Sequence, residues 1–171
     1  LNAIDTFVPK DNQKDIEFAI NIETITAYHN IDEILNLEKI KLLTSITVGR
    51  VDFTGSLGED RNFANSDQML NYCTEIFQKA KDKGLKTALG GAISPDAIPF
   101  IEKIASKDLI DKFETRKLVY HKNAIDNIIE GLTLGVKFEL LWLKSKRRYY
   151  HRVRDEDEKR IEMLEKRVKN L

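Results

Sequence analysis

Phe18-Ala-Ile-Asn-Ile-Glu23 and Ile46-Thr-Val-Gly-Arg-Val-Asp52 decide how this sequence is read. Each is a short run rich in apolar and β-branched residues that closes on a carboxylate, as a buried parallel strand entering a loop would. Between them, Ile31-Asp-Glu-Ile-Leu-Asn-Leu37 has the spacing of a short helix, and Gly55-Ser-Leu-Gly58 after the second run reads as a flexible loop. Ser66 then opens a longer helix, with Asp67 in its first turn, apolar residues from Met69 to Ala80 and Gly84 as its stop. Lys86-Thr-Ala-Leu-Gly90 is a third strand. Ser94-Pro95-Asp96 starts a helix that runs to about Ser106, because a hydroxyl cap, a first-turn proline and a carboxylate near the dipole's positive end all favour a helix start there. Phe113 to Tyr120 is a fourth strand.

Strand and helix thus alternate about four times, which predicts an α/β protein built from repeated β/α units on a parallel sheet. Beyond His121 no further strand is expected. A long helix opens at Asn123 or Asp126 and passes through Leu132, Leu140 and Leu143. A charged segment, Lys144 to Lys159, separates it from a last helix whose seam is Ile161, Leu164, Val168 and Leu171. That seam is narrow enough to suit one partner helix, and a homo-oligomer is expected.

Lys plus Arg and Asp plus Glu each number 28, so there is no overall positive field to hold a nucleic-acid backbone. The basic, aromatic run from Lys144 to Arg154 is followed at once by Asp155-Glu-Asp-Glu158, which favours a solvated or intersubunit segment over a nucleic-acid patch. Cys73 is the single cysteine, so an intrachain disulfide is impossible; with no His near it in sequence, it reads as a half-buried thiol rather than a nucleophile. His29, His121 and His151 are too dispersed for a recognisable zinc motif. The longest apolar runs fall far short of the roughly 20 residues of a membrane span, and a cytoplasmic protein with no membrane partner is expected.

In parallel β/α folds, ligands meet the protein at the carboxyl ends of strands, where Glu23 and Asp52 are expected. Two carboxylates brought together repel unless a cation or proton intervenes, so a hard divalent ion, Mg²⁺ or Mn²⁺, is the natural occupant. The alternatives are solvated strand-end residues or helix caps. Gly90-Gly91, ahead of the Ser94-Pro95 helix start, could present backbone amides to a carboxylate or phosphate, or could simply be a turn. Glu114 and Arg116 fall on one face of the fourth strand and read as an ion pair in preference to substrate contacts.

The segments Ile22-Glu-Thr-Ile-Thr-Ala-Tyr-His-Asn-Ile-Asp-Glu-Ile34 and Val48-Gly-Arg-Val-Asp-Phe-Thr-Gly-Ser-Leu-Gly58 resemble, in order and separation, the paired signatures of the HpcH/HpaI aldolase and citrate lyase beta-subunit family. The resemblance extends from about Asp15 to His121. It implies a (β/α)8 TIM barrel of which this chain supplies the C-terminal four β/α units as residues 1–148, with 149–171 as a helical extension between subunits. It further implies that Glu23 and Asp52 are metal ligands. The implied chemistry makes or breaks a carbon–carbon bond beside a carbonyl, through an enolate, in a small oxo or hydroxy acid or its CoA thioester. Gly49 would let the backbone approach this small carboxylate substrate, with Arg50, Gly90 and Gly91 as further substrate contacts. The family's catalytic arginine lies upstream of the glutamate motif, and no arginine precedes Glu23 here, so additional β/α units carrying one are expected before Leu1. Two other functions fit the same residues: a non-catalytic barrel-derived scaffold that binds a metal or carboxylate, and an isomerase or mutase of the same barrel superfamily.

Overall fold

The computed structural model describes residues 1–169, with side chains through 165. Two short helices, α1 (Asn2–Phe7) and α2 (Lys10–Gln13), precede strand β1 (Ala19–Ile22). Helices α3 (Ile25–His29) and α4 (Ile31–Leu35) lead to β2 (Ser45–Gly49), and α5 (Arg50–Ser56) follows without a break. The long helix α6 (Asp67–Asp82), β3 (Lys86–Gly90), α7 (Ile98–Ala105), β4 (Lys112–Glu114), β5 (Val119–His121) and α8 (Ile128–Lys169) complete the order. The chain divides into two compact units, Leu1–Leu132 and a second beginning at Thr133.

The first unit is a five-stranded sheet in the order β1-β2-β3-β4-β5, its first four strands parallel. Strands laid side by side in chain order are what barrels use; a doubly wound sheet reverses direction part-way. Because strand side chains alternate, Ile22, Val48, Leu89 and Phe113, which are laterally paired, share one face with Ile46. That face is the core: these residues cluster with Met69, Cys73, Ile76 and Phe77 of α6 and Ile101 and Ile104 of α7. Helix α6 meets the sheet as its period requires, and Ser66 caps it by accepting a hydrogen bond from Met69 N at 3.1 Å.

Four expectations need correction. The run 113–120 is two strands, not one: Thr115 Oγ1 accepts from the backbone N of Lys117 and Leu118, and this side-chain turn reverses the chain so that β5 pairs antiparallel to β4. The fourth parallel strand is therefore short, Lys112–Glu114, and a hairpin strand lies at its outer edge. Glu114 and Arg116 consequently form no ion pair among the described residues; Arg116 is exposed in the turn. The Arg50–Ser56 stretch is helix, where Arg50 to Asp52 were expected to end the second strand and Gly55-Ser56 to begin a loop, so Asp52 lies in a first helical turn and not at a strand end. Finally, the charged run 144–159 does not interrupt the last helix, because α8 is continuous. Its Lys, Arg and Glu residues are good helix formers, and charge is no obstacle on a solvated face. Of the expected terminal seam, Ile161 and Leu164 are described; the Val168 side chain and Leu171 lie outside the described residues.

Candidate metal and substrate site

The sheet face opposite the core carries Asn21, Thr47, Ala88 and Lys112 in one lateral row and Gly49, Gly90 and Glu114 in the next, at the carboxyl ends of the strands. Glu23 extends β1 by one residue into that second row. Its carboxylate leans over Gly49: a Cβ placed there would stand 2.8 Å from Glu23 Oε2 and 3.8 Å from Asp52 Oδ2. Both the Glu23 and the Asp52 carboxylates therefore lie beside Gly49. Asn21 Nδ2 donates to Glu23 Oε2 at 3.4 Å, and among the described residues neither carboxylate makes an ion pair.

Several contacts hold this convergence. Thr24 Oγ1 accepts from Ala27 N at 3.1 Å and caps α3 directly after Glu23. Ser56 Oγ accepts from Ile25 N at 2.8 Å and donates to Phe53 O at 2.7 Å, tying the segment after Glu23 to the helix that carries Asp52. Phe53 is buried in a T-shaped contact with Tyr28 and a tilted one with Tyr72, which anchors the same helix in the core. This bridging place of Ser56 is not legible in the sequence, where its position between two glycines suggests only a loop.

Arg50, expected as a substrate contact, lies in the interior of the fold. It is wholly buried, donating from Nη1 to Ala64 O at 3.0 Å and Asn65 Oδ1 at 2.7 Å, from Nη2 to Gly91 O at 2.6 Å and from Nε to Gly90 O at 3.4 Å, with its guanidinium 4.4 Å from the Phe100 ring centre. Carbonyls and an aromatic face replace a counter-ion. Burial pushes the guanidinium down to about 10, which leaves it charged at neutral pH.

Gly90 and Gly91 therefore turn their carbonyls toward Arg50. Gly91 has φ 76°, and a Cβ on it would stand 2.7 Å from Val51 N and 3.0 Å from Arg50 N, so only glycine closes this turn against the start of α5. Ala92 follows at φ 52°, a second left-handed residue in succession. Glu114 lies in the same row: its Cγ would be 3.8 Å from a Cβ on Gly90. The pleat alternation of the fourth strand was the signal that could have placed it here.

The donor set suits a hard ion. No group of three or more His, Cys, Asp or Glu residues able to hold a metal exists among the described residues, which leaves a pair of carboxylates above a glycine. Mg²⁺ is commonly held by one or two carboxylates with water and substrate filling its other positions, whereas a structural zinc site requires more protein ligands.

No protein-family model matches the chain, and no curated protein does so significantly. Among solved structures it is similar to the citrate synthase SbnG, at 19% identity and a TM-score of 0.50, over 76% of this chain and 48% of that one. It is likewise similar to the HpcH/HpaI aldolase of Desulfitobacterium hafniense DCB-2, at 15% identity and a TM-score of 0.50, over 67% of this chain and 44% of that one. The likeness is one of fold, to structures of the family that the two motifs resemble, and the chain spans less than half the length of either.

Proposed function

We propose that this chain provides the metal-binding part of a (β/α)8-barrel carbon–carbon lyase or aldolase acting on a small oxo or hydroxy acid or its CoA thioester. The observation that carries the reading is the convergence of Glu23 and Asp52 over Gly49. Both carboxylates would hold Mg²⁺ or Mn²⁺; when bound, such an ion withdraws electron density from the substrate carbonyl as negative charge develops in forming an enolate. Gly49 leaves room beside the ligands for the substrate's own oxygens. Ser56 fixes the spacing between the two ligand-bearing segments, and Arg50 holds the Gly90-Gly91 turn as a rigid wall behind α5.

Calorimetric titration with Mn²⁺ tests the ligand assignment. Glu23→Gln and Asp52→Asn should each weaken binding by about tenfold or more while leaving the melting transition in place. Unchanged affinity in both variants would remove the metal from the proposal.

A second reading, a non-catalytic metal- or carboxylate-binding scaffold, is favoured by one observation: β5 occupies the β4 edge that another parallel strand would need for barrel closure. Deuterium exchange at the methyl group of pyruvate, followed by NMR with the native polypeptide and Mn²⁺, separates the two. Exchange supports the enzyme; bound Mn²⁺ with no exchange supports the scaffold.

A further inference from the structure

The second unit is a helix with no apolar side buried against anything in its own unit. From Val136 onward α8 carries Leu140, Leu143, Tyr150, Ile161 and Leu164, which are 46–58% exposed. While Phe138, Leu141, Tyr149, Val153 and Met163 are exposed beside them, these lie along one line of the helix. Together with Arg147, Arg154 and Asp157 they form one series, 136, 140, 143, 147, 150, 154, 157, 161 and 164, whose steps alternate between four and three. A repeat of three and a half residues is the seam of a two-helix coiled coil. A solvated helix of this composition draws its stability chiefly from covering such a seam.

The charges within the seam select the partner and its direction. A parallel, in-register copy would set Arg147 on Arg147, Arg154 on Arg154 and Asp157 on Asp157, and each like pair is repulsive. An antiparallel copy related by a two-fold axis at the level of Arg152 sets Leu140 against Leu164, Leu143 against Ile161, Arg147 against Asp157 and Tyr150 against Arg154. Each aliphatic residue of the seam between 140 and 164 then meets an aliphatic residue, the acid meets a base, and the remaining arginine meets an aromatic ring. Beside the seam, the same register carries Lys146 to Glu158 and Arg148 to Glu156, so the basic run Lys144–Arg154 lies along the acidic run Asp155–Glu158 of the other copy. This also explains why a run of one sign is followed at once by a run of the other. We infer that residues 140–164 of α8 pair with a second copy of this chain as an antiparallel coiled coil centred on Arg152.

The inference is independent of the metal site and is tested on the full chain. Sedimentation should show a reversible dimer. Arg147→Asp and Asp157→Arg should each weaken it by about tenfold or more, because either change creates two like-charge pairs, and the two together should restore it to within a few-fold. A chain bearing Leu143→Cys, mixed with one bearing Ile161→Cys and oxidised gently, should give the mixed disulfide in preference to either homodimeric one. A chain that is monomeric at all concentrations, a double variant no better than the single ones, or homodimeric Leu143→Cys disulfides in excess, as a parallel pair would give, each overturns it.

Discussion

Gly49 lies directly beneath the carboxylate of Glu23, with the position of its missing Cβ 2.8 Å from Oε2 and 3.1 Å from the Glu23 Cβ. Gly49 has φ −88° and ψ 85°, which other residues can adopt, so glycine is required here for space and not for backbone freedom. In Gly49→Ala the carboxylate can swing away, but the Glu23 Cβ is fixed to β1 and must shift with it. We expect a folded protein whose Mn²⁺ affinity, measured by calorimetry, falls by about tenfold. An unchanged affinity would show that the carboxylates do not work from this arrangement.

Arg50 joins three segments that are separate in sequence: α5, the 3-10 turn Arg61–Asn65 and the Gly90-Gly91 turn. Arg50→Lys keeps the charge but cannot span these acceptors, since an ammonium lacks the planar fork. Buried carbonyls left without donors cost about 1–3 kcal/mol each, so a loss of about 2–4 kcal/mol is expected in denaturant melts. Because the same turn backs α5, metal affinity should fall in parallel. Arg50→Lys at wild-type stability would contradict the role given to the guanidinium.

Most of the sheet was legible in the sequence for a physical reason: β1, β2 and β3 are apolar runs bounded by polar residues and turns, and the cap at Ser66 and stop at Gly84 delimit α6 almost to the residue. Glu23 was legible at the end of β1, whereas the place of Asp52 beside it depends on α5 starting directly after β2, which the strand-like run Ile46–Asp52 hides. What escaped depended on contacts between distant segments. The burial of Arg50 is invisible until Ala64, Asn65 and Gly91 are seen around it, and a charged residue beside a candidate ligand reads first as a substrate contact. The hairpin at Thr115 depends on one hydroxyl accepting two backbone hydrogen bonds, a signal no stronger in sequence than the β-branched residue it also is. The charged stretch hides the continuity of α8, because a run of charged helix formers lacks the apolar spacing by which a helix is recognised in sequence.

Cys73 lies on the core face of α6, wholly buried. Burial pushes its thiol up to about 12, against the pull of the nearby Arg50. Only the thiolate reacts with disulfide reagents, and it must be reached. Labelling by such a reagent at neutral pH should therefore require opening of the core and should run slower than for a free thiol by about 10³-fold or more, given an ordinary folding stability of about 5 kcal/mol. Rapid labelling of the folded protein would show that α6 opens locally, and with it the packing behind β2 and β3.

Asp111 gives the first unit a pH dependence of definite sign. Burial raises its pKa, but the hydrogen bond from Lys81 Nζ at 2.6 Å, that from Thr87 N at 2.8 Å and that from Thr87 Oγ1 at 3.2 Å favour the charged form, and together they hold its carboxyl below the ordinary value. A carboxylate whose folded pKa is depressed contributes stability that is fully present above its unfolded pKa, about 3.9, and is lost as pH falls through the folded value. Asp111 sits where the end of α6, β3 and the start of β4 meet, so its protonation loosens the sheet and its covering helix together. Asp111→Asn keeps the shape and removes the charge, and should lower stability at pH 7 by about 2 kcal/mol. Thermal melts of the two proteins should converge as the pH is lowered toward 2, because the wild-type carboxyl is then neutral as well. A deficit in the variant that stays constant across that range would assign the loss to the shape of the amide and not to the charge.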